Sequence, residues 1–548
     1  MSLAASACNG PGADWVFYNG TVYTVDAQRS VAQAVAVDRG RIIYVGDDAG
    51  VDALLGLDTR KIDLQGQMLL PSFTDAHVHM LEGGVTLDAC DVSEERSAEA
   101  ILAAVARYAA ANPDAEWIAG SGWSLAAFPD ANPSKEELDR IVPDRPVYLV
   151  AGDGHSAWVN SRALAEAGID RTTPDPPRGR IERDANGEPT GTLRETAMEL
   201  VEDLAFDVGP LDALRGLRRA VASANEFGIT NFIEARSTTS EYDWAYRMLD
   251  LAGMLHARVV LSLWLDPARG DEQLAEFASR RSHDFTRHVR ADAIKIFADG
   301  VAESGTAYLL EPYEGRSDRG EPNFTPEQLG AFATQLDRDG FQLHFHAIGD
   351  AAVRMSLDAV AAARDRSGPR DARHHIAHLQ LVAPADWPRF AAQGVFANVQ
   401  ALWAFPDDYA MELDVPLLGR ARTERMYPIG SLVRAAAPLA AGSDWPVTTM
   451  NPFAAMQVAV TRSDPEETGG AQLGAGEAVD IATMIAAYTI GGATLMHQEA
   501  ETGSIEVGKS ADLVVLDQDL LAIAPEAIAK TKVLVTLFEG ELVYEAKP

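Results

Sequence analysis

The chain has 548 residues, of which 47% are hydrophobic and 23% charged, a balance typical of a folded globular protein with a large core. The formal net charge is −35, because 46 Lys and Arg face 81 Asp and Glu. This negative charge repels phosphate backbones and anionic lipid, which argues against binding to nucleic acids or membrane surfaces. The sequence has no apolar run of about 18 residues, so we predict no membrane span.

The cysteines and the N-terminal segment bear on the cellular compartment. Two cysteines, Cys8 and Cys90, are too few for a disulfide framework or a CxxC zinc ribbon. The first residues, MSLAASACNG, lack the basic region of a signal peptide, which favours a cytoplasmic protein. The small residues before Cys8 leave open a trimmed secretion signal, and with it a periplasmic or secreted protein.

Both ends of the chain have the pattern of antiparallel β-structure. The N-terminal runs DWVFYNGTVYTVD and AVAVDRGRIIYVGD each surround a turn, and so does VLVTLFEGELVYE near the C-terminus. Neither end alone supplies enough strands for a stable sheet. We therefore predict one small composite β-sandwich domain, formed by residues 14–66 and 500–548.

Short apolar strands alternate with Ala-rich helical stretches through the middle of the chain. Eight strands in such an alternation predict an α/β fold, a parallel (β/α)8 TIM barrel, here assigned to residues 67–81 and 213–499. The predicted barrel strands are QMLLPSFTDAHVH, GITNFIEA, RVVLSLW, DAIKIFADG, FQLHFHAIGD, HHIAHLQL, GVFANVQ and PLAAGSD.

Residues 82–212 do not follow this alternation. They contain two further strand candidates, WIAGSGW and VYLVAGD, and a Pro-rich cluster from Pro174 to Pro177. We interpret the segment as an insertion subdomain placed after the first barrel strand.

The motif GSIEVGKS, residues 503–510, matches the sequence pattern of a phosphate-binding loop at every position. That loop requires a strand before it and a helix after it. Here Ile505 and Val507 alternate as in a strand, and the strand-like ADLVVLD follows. We therefore predict a hairpin of the terminal β-domain rather than a nucleotide site.

His77 and His79 stand at the end of the first predicted barrel strand. Side chains two residues apart on a strand point to the same face, so the two imidazoles form a natural metal chelate. Structural histidines are common, and an HxH pair alone does not distinguish a metal site from two structural histidines. The ends of the other strands add weight to the metal site.

Lys295 lies within the apolar run IKIF, where a charged lysine is rarely buried without a partner. It is either a snorkelling lysine near a rim or an amine carboxylated by CO2 that bridges two metals. Each of three more residues follows a later strand, at the face where barrel enzymes place their chemistry. They are His346, His378 and Asp444. The whole set suits zinc or a similar divalent metal.

The motifs of this chain resemble those of the amidohydrolase superfamily, and within it the family 3 branch of YtcJ-like and N-substituted formamide deformylase-like proteins. The similarity extends from about residue 14 to residue 545. One departure is Ala377, where the family often has Glu. The matching strings are PSFTDAHVH, DGHSAWVNSRAL, GTLRETA, IKIFADG, HAIGDAA, HIAH, GSDWPV and GSIEVGKSADLVVLD.

The resemblance implies a metal centre of one or two zinc ions. His77 and His79 would hold one ion together with Asp444, while His346 and His378 would hold a second, bridged by carboxylated Lys295. His344 lies on the same face of its strand as His346 and is an alternative metal ligand, but the HAIGD motif favours His346.

The resemblance further implies hydrolysis of a C–N bond by a metal-activated hydroxide. Asp444 and His378 are the predicted catalytic residues, and Asp444 would take the proton of the water and pass it to the leaving amine. The implied substrate is a small-molecule amide, such as an N-substituted formamide or another apolar amide. The resemblance to this family is also compatible with a homodimer.

Three other functions stay open. The first is a deaminase of the same superfamily, which generally uses one metal and no carboxylated lysine, so Lys295 argues against it. The second is an esterase or lactonase with the same metals, which the sequence hardly separates from an amidase. The third is a non-catalytic metal-binding protein, which would not need Asp444 as a proton carrier.

Four residues near predicted loops are candidates for substrate binding. His155, in the insertion motif GDGHSAWVN, would reach over the barrel mouth or else be a satisfied polar loop residue. Trp123, Trp403 and Trp445 would line an apolar pocket or belong to the core. Arg194 and Glu195, next to each other in GTLRETA, either pair with each other or touch substrate, and we expect a structural pair.

Overall fold

The computed structural model describes residues 12–206, 208–283, 286–467 and 469–547. The trimmed secretion signal considered above depends on Cys8 and its neighbours, which lie outside the described residues. No helix within the described ranges is both long enough and apolar enough to cross a membrane.

The structure alternates strands and helices through most of its length. The strands are β1 Trp15–Tyr18, β2 Thr21–Tyr23, β3 Val31–Ala32, β4 Ala34–Asp38, β5 Arg41–Gly46, β6 Arg60–Asp63, β7 Met68–Pro71, β8 Phe73–Val78, β9 Cys90–Asp91, β10 Ile118–Trp123, β11 Val147–Ala151, β12 Ser156–Val159, β13 Gly179–Arg183, β14 Pro189–Glu195, β15 Ile229–Ser237, β16 Arg258–Trp264, β17 Val289–Phe297, β18 Gln342–Ala347, β19 His375–His378, β20 Phe396–Val399, β21 Leu439–Ala441, β22 Leu513–Leu516, β23 Val533–Phe538 and β24 Glu541–Glu545. The α-helices are α1 Met80–Thr86, α2 Ala98–Ala111, α3 Lys135–Ile141, α4 Ser161–Glu166, α5 Glu199–Ala205, α6 Pro210–Glu226, α7 Ser240–Leu251, α8 Glu272–His283, α9 Pro326–Arg338, α10 Asp350–Ser367, α11 Trp387–Gln393, α12 Val415–Leu418, α13 Arg420–Thr423, α14 Ile429–Arg434, α15 Pro452–Thr461, α16 Ile481–Ala486 and α17 Gly492–Leu495.

Eight parallel strands form the central sheet, in the order β8, β15, β16, β17, β18, β19, β20 and β21. They correspond to the eight strands predicted from the sequence, and the (β/α)8 barrel is confirmed. The first predicted strand is divided, because Met68–Pro71 (β7) belongs to the terminal β-structure and only Phe73–Val78 (β8) to the barrel. The apolar residues of the barrel strands are buried almost throughout, as expected for parallel strands covered on both faces. The last strand returns to the first, because the Asp444 backbone N–H donates to the His77 carbonyl at 2.8 Å. The first and last strands of the barrel therefore meet at His77 and Asp444.

The helices cover the outside of the barrel, and α9 illustrates how the sequence specifies them. Thr325 and Gln328 form a capping box, with the Gln328 N–H donating to Thr325 Oγ1 at 3.2 Å. Pro326 follows at the first helical position, where its missing N–H costs nothing. The buried side chains Leu329, Ala333 and Leu336 then line one face of the helix.

The two ends of the chain meet in β-structure beside the barrel. One six-stranded sheet has the order β24, β23, β22, β7, β2, β3, and a four-stranded sheet has the order β5, β4, β1, β6. Residues of both ends, among them Phe17, Val35 and Leu537, share one hydrophobic cluster. This is the composite β-structure expected for the fold class, while the residue bounds of the domains stay a prediction.

The GSIEVGKS segment, residues 503–510, is not the hairpin predicted above. All of these residues are described, and the segment is irregular, with Ser510 forming an isolated bridge to Arg41. Lys509 Nζ donates to the Glu499 carbonyl and to Ser504 Oγ, both at 2.6 Å. The strand β22 follows instead of a helix, so the structural requirement for a phosphate-binding loop is also missing.

The segment after the first barrel strand contains its own sheet, in the order β13, β14, β12, β11, β10, β9. Only β10 and β11 were expected from the sequence. The missed strands are hard to recognise, because β9 has two residues, β13 (GRIER) is charged, and β14 begins with Pro and contains Gly.

Candidate metal centre

The Asp444 carboxylate lies among three histidines at the barrel mouth. Its Oδ1 is 3.3 Å from His77 Nε2 and 3.2 Å from His79 Nε2. Its Oδ2 is 3.9 Å from His378 Nδ1. The structure therefore brings together four predicted site residues from the first, sixth and eighth barrel strands.

The backbone at two of these residues adopts an uncommon conformation. His378 has φ +76° and Asp444 has φ +58°, in the left-handed region that disfavours residues other than glycine. Such conformations persist where the surrounding fold determines them, and they cluster at functional sites. Here they turn the chain at the ends of β19 and just after β21, where the two side chains meet.

The buried polar atoms of this group fit a divalent cation. His77, His378 and Asp444 each offer a ligand atom, and these atoms lie within 4.8 Å of one another. His378 Nδ1 and Asp444 Oδ1 are buried and make no hydrogen bond, although buried polar atoms normally do. The imidazole nitrogens near Asp444 Oδ1 are within 3.3 Å but do not have hydrogen-bond geometry. Imidazole nitrogens with a carboxylate are a donor set that zinc prefers.

Lys295 points into the same group. Its Nζ is 3.2 Å from His77 Nε2 and 4.7 Å from the centre of the Phe297 ring, and the residue is 1% exposed. Burial lowers the pKa of Lys295 to about 7. A large fraction of the amine is therefore unprotonated near neutral pH, which is the form that reacts with CO2.

The charge states of Asp444 and of three of the histidines suit metal binding. His79 differs, because burial lowers its pKa but the contact with the Asp444 carboxylate outweighs burial and raises it. Burial, and then the positive charge of Lys295, lower the pKa of His77 to about 3. Burial likewise lowers the pKa of His346 and of His378 well below the usual range. Burial opposes ionisation of Asp444, but His77 and the other histidines around it hold its pKa well below the ordinary value. Neutral imidazoles and an ionised carboxylate are the forms that coordinate metals.

His346 and His344 have the same parity on β18 but different surroundings. The His346 ring is 4.5 Å from the His378 ring, and its Nε2 lies 3.2 Å from the Gly300 carbonyl oxygen. His344 lies deeper, with Nε2 2.8 Å from His77 Nδ1 and Nδ1 2.9 Å from Ser262 Oγ. Both nitrogens of His344 are thus engaged, and it orients His77 so that His77 Nε2 faces Asp444.

We expect His344→Phe to weaken zinc binding by about 10- to 100-fold, because losing a partner that orients a metal-binding histidine has this size of effect. The measurement is a competition titration of zinc against a chromophoric chelator. His497→Phe is the matched control, since His497 is an exposed histidine at the end of α17. An unchanged zinc affinity in His344→Phe would show that His344 only fills space.

Two residues of the insertion sheet reach the barrel mouth. His155 Nδ1 lies 2.9 Å from Glu195 Oε2, and Thr306 Oγ1 donates to Glu195 Oε1 at 2.7 Å. Burial disfavours the imidazolium, but the Glu195 carboxylate outweighs burial and raises the pKa of His155 to about 9. The His155 ring centre is 5.4 Å from that of His346. A protonated imidazole therefore lies beside the group of histidines.

The expected pairing of Arg194 with Glu195 is wrong. Neighbouring residues on a strand point to opposite faces, and β14 follows this rule. The Arg194 guanidinium donates to Ser156 Oγ and to the Ala131 carbonyl inside the insertion, whereas Glu195 holds His155.

The three predicted tryptophans lie in different surroundings. Trp403 stacks on His378, with ring centres 5.3 Å apart and an interplanar angle of 8°. Trp445 is partly buried against α1, and its carbonyl accepts the His79 N–H at 2.8 Å. Trp123 is fully buried in the insertion core, and its indole N–H donates to the Leu149 carbonyl at 2.8 Å. The structure does not bring Trp123 to the site.

Three buried residues that the sequence analysis did not single out support the site. Glu234 Oε1 lies 4.0 Å from His79 Nδ1, and Gln400 Oε1 accepts the His378 N–H at 2.8 Å. Asp299 lies 3.8 Å from His346 Nε2 and accepts backbone N–H groups, including that of Gly349 at 2.9 Å. Glu234 is a charged residue within a buried strand, the same signal that drew attention to Lys295, whereas Asp299 and Gln400 are polar residues just after the end of a strand.

Comparison with known proteins identifies the family of the chain. The profile of the Amidohydrolase family, Amidohydro_3, matches residues 60–544. Protein LONG AFTER FAR-RED 3 of Arabidopsis thaliana is 31% identical over 517 residues, which are 92% of this chain and 87% of that protein. N-substituted formamide deformylase of Arthrobacter pascens is 30% identical over 552 residues, covering 97% of this chain and 98% of that protein.

The fold has a solved counterpart. The crystal structure of an uncharacterized metal-dependent hydrolase from Pyrococcus horikoshii OT3 matches with a TM-score of 0.74 at 24% identity, covering 93% of this chain and 99% of that chain. With the family profile matched across most of the sequence, the chain belongs to the amidohydrolase family.

Proposed function

We propose that this protein is a metal-dependent hydrolase that cleaves the C–N bond of a small-molecule amide, with an N-substituted formamide or another apolar amide as substrate. One observation carries the proposal: the buried Asp444 carboxylate lies among His77, His79 and His378 with an oxygen that has no hydrogen-bond partner. The name of the Arthrobacter pascens relative, a deformylase of N-substituted formamides, supports the amide class.

One or two zinc ions would be held here. His77, His79 and Asp444 would hold the first, and His346 and His378 the second. Lys295 would bridge them as a carbamate, formed when its unprotonated Nζ bonds to the carbon of CO2 and releases one proton. The 3.2 Å between Lys295 Nζ and His77 Nε2 supports this role.

A bound divalent cation would lower the pKa of a water molecule and polarise the substrate carbonyl. Asp444 accepts the proton of the attacking water and later delivers it to the amide nitrogen, so that the amine leaves uncharged. His155, kept protonated by Glu195, donates a hydrogen bond to the carbonyl oxygen as negative charge develops there. Trp403, stacked on His378, supplies an apolar wall for the acyl or amine substituent.

The test is a hydrolysis assay on matched N-alkylformamides, N-alkylacetamides and the corresponding esters. Chelator-treated protein is compared with protein reloaded with zinc in the presence of bicarbonate. We expect the reloaded protein to release equal amounts of carboxylic acid and amine from the amide series, and the chelated protein to release neither. Turnover of esters alone, or amide turnover that survives chelation, contradicts the proposal.

A further inference from the structure

Building on the proposed hydrolase, we propose that Glu303, Gln380 and Asp414 form a subsite beside the metal centre that binds a primary ammonium group of the substrate. The substrate would then be an amide with an amine at its far end, rather than a purely apolar amide. We call these three residues the acidic subsite.

The acidic subsite adjoins the metal centre. Gln380 follows His378 by two residues, and its Nε2 lies 3.0 Å from Asp414 Oδ2 and 3.5 Å from Glu303 Oε1. The Gln380 carbonyl accepts the Tyr427 N–H at 2.8 Å. Trp403 stacks on the His378 ring, and its ring centre is 6.4 Å from that of Tyr427.

The carboxylates of the acidic subsite lack a cationic partner. Within the described parts of the chain, no Lys, Arg or His nitrogen comes within 4.0 Å of the carboxylate of Glu303 or of Asp414. Two more carboxylates, Asp153 and Asp407, act on Glu303 with the same sign. Burial, and then this repulsion, raise the pKa of Glu303 to about 7. The positive charge of His155 acts on Glu303 in the opposite sense, but among the described residues it forms no ion pair with Glu303 within 4.0 Å. Buried carboxylates are rarely found without such a partner, so Glu303 and Asp414 are suited to accept a cation.

Unsatisfied acceptors within the acidic subsite point to a ligand. Gln380 and Asp414 are each 1% exposed, yet Gln380 Oε1 and Asp414 Oδ1 have no hydrogen-bond partner. Glu303 is only partly buried and is the member of the subsite that reaches toward solvent. A primary ammonium carries three donors for such acceptors, and a charge-assisted hydrogen bond is the strong kind.

The spacing of these groups favours an organic cation over a metal ion. Among the described residues, the only group of three or more His, Cys, Asp or Glu whose ligand atoms lie within 4.8 Å of one another is His77, His378 and Asp444. The carboxylates around Glu303 are thus too dispersed to surround one ion. The aromatic rings of Trp403 and Tyr427 lie on the side toward His378, and aromatic surfaces favour ammonium groups.

The first experiment compares substrates that differ only in the end group. N-formyl-α,ω-diaminoalkanes with two to six methylenes are matched with N-alkylformamides in which a methyl replaces the ammonium. For at least one chain length, we expect kcat/KM of the ammonium substrate to be about 10-fold or more above that of the matched N-alkylformamide. This ratio corresponds to one good charged contact. Glu303→Gln and Asp414→Asn should reduce that ratio to nearly one. Asp408→Asn, which removes an exposed carboxylate from the same helical segment as Asp414, should keep the ratio.

A binding measurement separates this proposal from the proposed function. Calorimetric titration of the zinc-loaded protein with 1,4-diaminobutane needs no turnover. Binding that Glu303→Gln abolishes and Asp408→Asn retains supports the subsite even when no amide is hydrolysed, an outcome that overturns only the proposed hydrolysis. Amide hydrolysis without ammonium preference, together with no diamine binding, overturns the subsite alone.

Thermal unfolding distinguishes a binding role from a structural one. If Asp414 serves to bind a ligand rather than to stabilise the fold, Asp414→Asn should unfold at the same temperature as wild type or at a higher one. The reason is that the substitution removes a carboxylate buried near others of the same charge. A marked loss of thermal stability, together with an unchanged substrate ratio, assigns Asp414 to the fold and contradicts the proposal.

Discussion

Asp444→Asn is expected to lower kcat by about 10²- to 10⁴-fold while the protein stays folded, since this is the range for losing a positioned proton-transfer group. Asparagine keeps the volume and one oxygen of the side chain but cannot take a proton from water. The backbone bond from the Asp444 N–H to the His77 carbonyl survives the substitution, so the strand end should keep its shape. The measurement is steady-state turnover of the best formamide, with zinc content determined on the same samples.

Asp365→Asn is the control for this substitution, because Asp365 is an exposed carboxylate on α10 outside the site. It should leave kcat, zinc content and unfolding temperature unchanged. A rate near wild type in Asp444→Asn refutes the proton-transfer role. A loss of rate that only parallels a loss of zinc limits Asp444 to metal binding.

Lys295→Ala is expected to lose at least one zinc ion per chain and most of the activity, about 100-fold or more if a metal-polarised carbonyl is needed. The substitution removes the only lysine of the predicted site and the group that would carry the carbamate. Burial already disfavours the charged form of Lys295. Removing the amine should therefore not lower the free energy of unfolding of the metal-free protein. Zinc stoichiometry by mass spectrometry and turnover are measured with and without bicarbonate.

Lys532→Ala is the matched control, since Lys532 is exposed beside β23. Carbamate formation is observed directly by ¹³C NMR of protein equilibrated with ¹³C-bicarbonate, where wild type should show a resonance that Lys295→Ala lacks. Unchanged zinc content and rate in Lys295→Ala contradict the bridging role and leave Lys295 as a buried amine beside His77.

The barrel was predictable because its signal is local and repeated. Strands such as RVVLSLW are apolar on both faces, as parallel strands between helices must be, and each is followed by a helical stretch. The insertion was less predictable because its missed strands are short, charged or interrupted by Pro and Gly, and pairing partners rather than residue preferences make them strands. The GSIEVGKS segment shows the same limit, since contacts with the N-terminal strands hold it in an irregular path.

The candidate site was predictable where strand parity decides and less so where distant segments meet. The HxH spacing placed His77 and His79 together, and Lys295 was noticeable within an apolar run. Strand parity could not separate His344 from His346, because both point inward and only their depth differs. The contact of His155 with Glu195 joins two strands of the insertion sheet, and no local pattern reveals it.

The most direct test of the metal centre is anomalous X-ray scattering at the zinc edge from crystals of the zinc-loaded protein. We expect a peak about 2.0–2.2 Å from ligand atoms of His77, His79 and Asp444, the distances of zinc to nitrogen and carboxylate oxygen. A second ion, where present, should give a peak bounded by His346, His378 and Lys295. Zinc found only elsewhere on the protein, with the space among His77, His378 and Asp444 empty, would contradict it.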